Sequence, residues 1–196
     1  MRVVGGSARG FRLEIVPGDS TRPILDRVKT ALFDILRPRI EDKAVLDLFA
    51  GSGSVGIEAL SQGAATCVFN DAGMKAVATI RKNLANTGFT DRAEVRHGDA
   101  FAYLKRAETP FDLIYIAPPQ YKKLWIEAMK ILDDRPQLLR APDDPDEDAG
   151  LAVVQIDPKE YEPLELVALR ETRQKRYGNS LLVFYEAVGA SETPTD

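Results

Sequence analysis

The segment 44–60 constrains the fold of this chain more than any other stretch. An apolar run that begins at Ala44 breaks at Gly51, and apolar residues return at helical spacing from Val55 onward. Glycines at positions 51, 53 and 56 give the pattern G-x-G-x-x-G. These features predict a buried strand, a tight turn and a helix whose first N–H groups can meet a polar ligand. The segment is typical of a nucleotide-binding fold, although the glycine pattern alone also fits an ordinary strand-to-helix turn.

Asp47 adds chemical information to this segment. A carboxylate directly before the loop would repel a pyrophosphate, but it suits a ligand that carries an ammonium group. The pattern D-x-F-x-G-x-G therefore favours S-adenosylmethionine over NAD. The residues expected to contact this cofactor at the loop are Asp47, Phe49, Ala50, Gly51, Ser52 and Gly53.

From Lys43 onward the chain alternates strand-like and helix-like segments. Strands are predicted at 43–48, 66–71, 93–96, 111–116 and 151–156, with helices at 54–62, 74–86, 100–106 and 122–132. This alternation implies an α/β fold with a parallel sheet and right-handed crossovers. Two further strands, 164–170 and 180–187, are predicted to close the sheet edge as a hairpin. Residues 136–150 are rich in Pro and Asp, and we expect them to form a mobile loop.

The N-terminal region, residues 1–40, is predicted to extend the main domain of residues 41–189. Two short strands, 2–4 and 11–16, flank a turn-rich stretch as a β-hairpin, and a helix follows over 26–36. A hairpin of this size does not fold alone, so it must pack on the main domain. Residues 190–196 form a polar tail.

The distribution of charge matters more than its total. Residues 1–40 hold eight Lys and Arg against four Asp and Glu, whereas residues 133–171 hold four against twelve. The basic end can meet a polyanion although the whole chain carries a net charge of −4. Ordinary solvated surface charge explains the same counts equally well.

Cysteine content and hydropathy exclude other classes of protein. The one cysteine, Cys67, excludes an internal disulfide and a cysteine-based metal cluster. Without a signal peptide or an apolar run near 20 residues, the chain is expected to be cytoplasmic and free of the membrane. No metal site is predicted, because only one His and one Cys exist.

Three acidic residues, Asp47, Asp71 and Asp99, follow the first three predicted strands of the domain. In an open parallel sheet, ligands bind at the carboxyl ends of the strands. We expect Asp47 near the methionine ammonium, Asp71 at the ribose hydroxyls and Asp99 at the adenine amino group. Apolar contact would come from Ala100 or Phe101, and Asn70 is a secondary candidate for the ribose.

Two consecutive prolines, Pro118 and Pro119, follow the fourth predicted strand of the domain. They fix φ twice and remove two N–H donors, so they present a rigid carbonyl acceptor to a substrate amine. A rigid turn that merely ends the strand accounts for them equally well.

Five segments together resemble a known family. They are Arg22-Pro23-Ile24-Leu25-Asp26-Arg27-Val28, Asp47-Leu48-Phe49-Ala50-Gly51-Ser52-Gly53, Gly98-Asp99-Ala100, the Pro-Pro turn and Lys175-Arg176-Tyr177-Gly178-Asn179. In this order they resemble the bacterial RsmD-type 16S ribosomal RNA guanine-N2 methyltransferases, from Met1 to about Glu186. The resemblance implies a class I methyltransferase (Rossmann-like) fold of seven strands, S-adenosylmethionine as methyl donor and ribosomal RNA as substrate.

The chain departs from this family at the catalytic turn. Members usually carry Asp or Asn, two prolines, then Phe or Tyr, whereas this chain has Ala117 and Gln120 at the outer positions. In those members the Asp or Asn side chain accepts a hydrogen bond from the exocyclic amine, and the aromatic ring stacks on the extruded base. The residues predicted to form the catalytic site are Ala117, Pro118, Pro119, Gln120 and Tyr121. Ala117 has no side-chain acceptor, so the Pro118 carbonyl would act with Gln120 as a replacement acceptor and Tyr121 as a replacement stacking ring.

The predicted function is methylation of a guanine amine in 16S ribosomal RNA, free or in an assembling small subunit, by a monomer. The arginines expected to hold RNA phosphates are Arg2, Arg9, Arg12, Arg22 and Arg27. One alternative is a ribosome-assembly or RNA-binding protein that keeps the cofactor pocket but has lost methyl transfer. Another is an amino-methyltransferase whose substrate is an adenine amine, another RNA, DNA or a small molecule.

Overall fold

The computed structural model describes residues 1–18, 24–142 and 148–188, which form one sheet with helices on both faces. The strands are β1 Ala44–Asp47, β2 Thr66–Asp71, β3 Ala93–His97, β4 Leu113–Ile116, β5 Leu151–Ile156, β6 Leu169–Tyr177 and β7 Ser180–Ala187. The helices are α1 Asp26–Leu36, α2 Ser54–Ser61, α3 Met74–Thr87, α4 Ala100–Arg106 and α5 Leu124–Asp134. None of the helices in these ranges is long and apolar enough to cross a membrane.

The seven strands run in the order β3-β2-β1-β4-β5-β7-β6. Strands β1 to β5 pair in parallel, and β7 pairs antiparallel with both β5 and β6. The predicted α/β fold with a mostly parallel sheet is therefore confirmed. Because the strand order reverses between β1 and β4, their carboxyl ends border the crevice in which ligands of such sheets bind.

Successive side chains of the buried strands point to opposite faces of the sheet, and this creates two hydrophobic layers. One layer joins α1, α2 and α3 to the sheet through Leu32, Ile57, Ile80, Phe69 and Phe184. The other joins α4 and α5 through Leu104, Trp125, Leu46, Ile114 and Val183. Strand residues of opposite parity face opposite layers, so the parity of a residue decides which side of the site it can reach.

Two predicted segments differ from the structure. The strand predicted at 164–170 begins only at Leu169, because Asp133 at the end of α5 accepts the N–H groups of Val167, Ala168 and Leu169 and holds this backbone out of the sheet. The mobile loop predicted at 136–150 is wrong for its first residues, because Pro136–Leu138 form a short 3-10 helix and the side chains of Leu138 and Leu139 are buried. Residues 143–147, like the tail at 190–196, lie outside the described residues.

The N-terminal arm, residues 1–16, crosses back on itself and packs on the sheet. The strands predicted at 2–4 and 11–16 are reduced to one isolated antiparallel bridge, between Arg2 and Arg12, beside which the Val3 N–H donates to the Phe11 carbonyl at 2.9 Å. Val3 and Leu13 are buried in the same hydrophobic layer as α1 and α2. The arm therefore shares its core with the main sheet.

A buried ion pair fixes the arm to α2. Glu58 on α2 accepts the N–H groups of Val4 at 2.8 Å and Gly5 at 2.7 Å. Its carboxylate lies 3.1 Å from the ammonium of Lys29, and both side chains are fully buried. Lys29 also donates to the Arg2 carbonyl at 2.6 Å. Burial lowers the pKa of Lys29, and the charge of Glu58 opposes this change. The pair therefore depends on both charges being present.

We predict that Glu58→Ala lowers the free energy of unfolding by about 3–5 kcal/mol, because it leaves the Lys29 charge buried without a partner. Urea unfolding of the native chain and the variant measures this change. The control is Glu41→Ala, at an exposed position, which should cost less than about 0.5 kcal/mol. Equal losses for the two variants would contradict the role of the pair.

Candidate active site

The glycine loop between β1 and α2 has one open face and one packed face. Gly51 has a φ of 55°, and a Cβ added there would meet nothing within 4 Å. At Gly56 an added Cβ would overlap the Phe69 ring and the Cys67 sulfur, so only glycine lets α2 lie this close to β2. The loop thus presents open backbone on the side where the crevice lies.

Asp71 joins the end of β2 to the glycine loop. One carboxylate oxygen accepts the Gly51 N–H at 2.8 Å, and the other accepts the Gly73 N–H at 2.8 Å. A carboxylate has about four acceptor sites, so these two bonds leave room for the two ribose hydroxyls predicted here.

Asp47 lies beneath the loop. It is 2% exposed, and its carboxylate accepts the Gly56 N–H at 3.0 Å. Since Gly53, the residue before α2, has no side chain to cap the helix, Asp47 takes over that task from the end of β1. Burial raises the pKa of Asp47 to about 7, with the Gly56 N–H opposing and the Asp71 charge adding to this change. The structure therefore gives Asp47 an anchoring position under the loop, whereas its predicted ammonium contact stays a prediction.

Asp99 and two rings form the far side of the crevice. Asp99 is exposed and caps α4, accepting the Ala102 N–H at 2.8 Å. Ala100 is buried directly behind it, and the rings of Phe49 and Phe101 meet edge to face with centroids 6.2 Å apart. In the described part of the chain, no three His, Cys, Asp or Glu side chains are grouped as a metal site would require.

Asn70 does not stand where the sequence suggested. It is buried, and its amide donates to the carbonyls of Leu48 and Gly98, at 3.2 Å each. Strand parity turns it to the face opposite Asp71, where it ties the ends of β1 and β3 together. With its side chain buried and its amide bonded to the backbone, Asn70 has a structural role, and the structure does not support the secondary prediction that it contacts the ribose.

The proline turn follows β4 directly. Pro118 is buried, Ala117 and Pro119 are half-buried and Gln120 is exposed. Tyr121 is 65% exposed and has a φ of 61°. Its backbone N–H donates to Glu160 at 2.5 Å, and its hydroxyl donates to Asp157 at 3.0 Å. Its ring is therefore directed toward the connection after β5.

Sequence reasoning missed two polar contacts of this region. Asn83 on α3 donates to the carbonyls of Ser52 in the loop and Glu14 in the arm, at 2.9 and 3.0 Å. Tyr115, which is 2% exposed, donates its hydroxyl to the Gln155 side-chain oxygen at 2.5 Å. A glutamine that interrupts the apolar run of β5 was the one signal available for the second contact, and Asn83 gave none.

Four of the five arginines predicted to bind RNA are exposed on the surface. They are Arg2, Arg9, Arg12 and Arg27, of which Arg2 also pairs with Asp26 at 3.1 Å. Arg22 lies outside the described residues. The edge strand β6 carries a second set of exposed basic residues that includes Arg173, Lys175 and Arg176.

Comparison with known proteins shows extensive similarity. The family model described as "Conserved hypothetical protein 95" matches residues 1–186. The chain is 38% identical over 192 residues to the Bacillus subtilis protein named "Putative rRNA methyltransferase YlbH", covering 96% of this chain and 100% of that one. It is 36% identical over 134 residues to ribosomal RNA small subunit methyltransferase D of Escherichia coli, covering 68% of this chain and 67% of that one.

Solved structures show the same arrangement. The protein described as "Putative methyltransferase yhhF from Escherichia coli" has a TM-score of 0.77 at 32% identity, covering 95% of this chain and 97% of that one. An RNA methyltransferase of Salinibacter ruber, solved with S-adenosyl-L-homocysteine, has a TM-score of 0.62 over 89% of this chain and 98% of that one. At 17% identity the second likeness concerns the fold alone. Together they confirm the predicted class I methyltransferase fold.

We predict that Asp47→Asn changes how stability depends on pH. Because the folded-state pKa is raised to about 7, the folded chain holds a proton that the unfolded chain releases near pH 4, so native stability should fall as pH rises from about 4 to 7. The variant lacks this titration, so its stability should rise relative to that of the native chain by up to about 4 kcal/mol across this window. Urea unfolding at several pH values measures the difference. The exposed control Asp91→Asn should run parallel to the native chain, and a parallel profile for Asp47→Asn would contradict the raised pKa.

Proposed function

The chain belongs to the conserved hypothetical protein 95 family of RsmD-type methyltransferases, and on this premise we propose that it methylates the exocyclic N2 amine of a guanine in 16S ribosomal RNA. The relatives named as ribosomal RNA methyltransferases support the RNA substrate, and the Escherichia coli name supports the small subunit. The guanine amine rests on the five segments that resemble this family. We further propose that the protein acts as a cytoplasmic monomer.

The observation that carries the proposal is the row of groups along the carboxyl edge of β1, β2 and β3. Gly51 leaves open space above the loop, Asp71 keeps acceptor capacity beside it, and Asp99 is exposed next to the Phe49–Phe101 ring pair. This set fits S-adenosylmethionine: hydroxyl acceptors for the ribose, an acceptor for the adenine amine and an apolar floor for the ring. When bound, S-adenosylmethionine supplies a methyl group whose bond to sulfur breaks as its bond to nitrogen forms.

The residues of the proline turn would orient the amine. The Pro118 carbonyl is held rigidly, because Pro118 and Pro119 both have fixed φ. It can accept a hydrogen bond from one N–H of the amine and turn the nitrogen lone pair toward the methyl group. Once the nitrogen has gained the methyl group it carries a positive charge, which it loses by releasing one proton to water. Exposed Arg9, Arg12 and Arg27 would hold phosphates through their forked donors, independently of sequence.

One observation favours a second candidate function. Ala117 has no side-chain acceptor, so a protein that binds cofactor and RNA during ribosome assembly without methyl transfer is the alternative. Removal of one preorganised polar group costs about 10²- to 10³-fold in rate, which slows transfer without abolishing it. Measured transfer therefore separates the two functions.

We predict that the native protein transfers labelled methyl from S-adenosylmethionine to an unmodified 16S ribosomal RNA transcript or small subunit, giving N2-methylguanosine on mass analysis of the nucleosides.

We also predict that Asp71→Ala weakens cofactor binding in calorimetry by about 1–3 kcal/mol, because charged hydrogen bonds are removed. The matched variant Asp91→Ala, exposed and away from the crevice, should bind normally. Cofactor binding without any transfer would instead establish the assembly protein.

For the arm, we predict that Arg9→Ala combined with Arg12→Ala lowers the slope of log K for RNA against log salt by about 1 for each phosphate that is no longer neutralised. Cofactor affinity should not change. Arg106→Ala with Lys130→Ala removes the same charge from exposed positions on α4 and α5 and should leave the slope intact. If both double variants had the native slope, RNA would have to enter by another surface.

A further inference from the structure

A polar pair connects β4 and β5 at their carboxyl ends. The Tyr115 hydroxyl donates to the Gln155 side-chain oxygen at 2.5 Å. Since Tyr115 is 2% exposed, its hydroxyl depends on this one bond rather than on water. The bond fixes the orientation of the amide, with its oxygen toward Tyr115 and its nitrogen away from it.

Register brings this amide beside the catalytic turn. The last pair of the β4–β5 ladder joins Ile116 to Val154, and continuing the same register by one residue sets Ala117 opposite Gln155. Parity agrees, because Tyr115 and Ala117 pack on the same hydrophobic layer and Gln155 comes two residues after Val153 of that layer. Gln155 therefore stands next to the position that has no acceptor of its own.

The nitrogen half of the amide is open. Among the described residues, no acceptor contacts the Gln155 Nε2, and this nitrogen is not one of the buried side-chain atoms that lack a partner. The amide thus offers two donors, together with the second lone pair of its oxygen. This pairing of donor and acceptor matches an exocyclic amine beside a ring nitrogen, the chemistry by which glutamine reads adenine and which guanine presents at N2 and N3.

We propose that Gln155 is the side chain that recognises the target base, accepting an amine N–H and donating to the neighbouring ring nitrogen, and that Tyr115 is its positioning residue. The inference rests on the proposed function and adds its base-reading group. A neutral amide from β5 thereby supplies the polar contact that Ala117 lacks on β4.

Gln155→Glu is the sharpest test, because a carboxylate still accepts the Tyr115 hydroxyl but replaces the open donor by an acceptor. In single-turnover transfer to the 16S ribosomal RNA transcript, the rate at saturating RNA should fall about tenfold to a hundredfold for Gln155→Glu and for Gln155→Ala. Cofactor affinity should stay native in both variants, and urea stability should stay native in Gln155→Glu, which keeps an acceptor for the Tyr115 hydroxyl. Gln155→Ala leaves that buried hydroxyl without its partner, so its urea stability should fall. The matched controls are Gln174→Glu and Gln174→Ala, at an exposed position on the edge strand β6.

Tyr115→Phe tests the positioning role. It frees the amide to rotate, so the rate should fall about threefold to tenfold. Combined with Gln155→Ala, it should cost no more than Gln155→Ala alone, because Tyr115 acts through that amide. A purely structural tyrosine would lower the rate only through the loss of folded protein, so the rate of Tyr115→Phe corrected for its urea stability would be native.

The outcomes distinguish the roles of Gln155 and Tyr115 from the proposed function itself. Native transfer rates in Gln155→Glu, with transfer by the native protein established, would overturn the role of Gln155 and leave the proposed function intact. Additive losses in the double variant would overturn the role of Tyr115. Absence of transfer by the native protein would overturn the proposed function, and the recognition role with it.

Discussion

The glycine loop after β1 must be held by side chains, because its backbone groups have few strand partners of their own. Asp71 accepts from Gly51, Asp47 accepts from Gly56, and Asn83 donates to the Ser52 carbonyl. These bonds come from β2, from β1 and from α3. The cofactor side of the crevice is therefore only as rigid as the packing of those three elements.

The same packing extends to the N-terminal arm. Asn83 bonds the arm and the loop at once, through Glu14 and Ser52. The buried Lys29–Glu58 pair joins the arm to α2, the helix that the loop begins. The basic arm thus shares one core with the glycine loop, and a displacement of either part strains bonds of the other.

The turn between β4 and α5 is also held by side chains, but these come from the segment after β5. Tyr121 and Lys123 both have left-handed φ values, 61° and 53°, which cost of order 1–2 kcal/mol each for residues other than glycine. Glu160 holds the Tyr121 N–H, and Glu162 pairs with Lys123 at 2.9 Å. The turn is therefore fixed by acidic residues of the segment after β5, next to the strand that carries Gln155. Ala117 has no polar side chain, and β5 carries the amide of Gln155 close to this turn.

The sequence by itself determined the order of strands and helices up to β5, the glycine loop, the aspartates at strand ends and the rigid proline turn. These features depend on local periodicity and on backbone chemistry, which neighbours in the sequence already specify. Tertiary structure decided where the side chains point. Burial under the loop raised the pKa of Asp47, strand parity turned Asn70 to the face opposite Asp71, and Asp133 delayed the start of β6. Only the pairing of β4 with β5 brought Gln155 to Tyr115 at the end of β4, because the two residues are far apart in the chain and meet through sheet register.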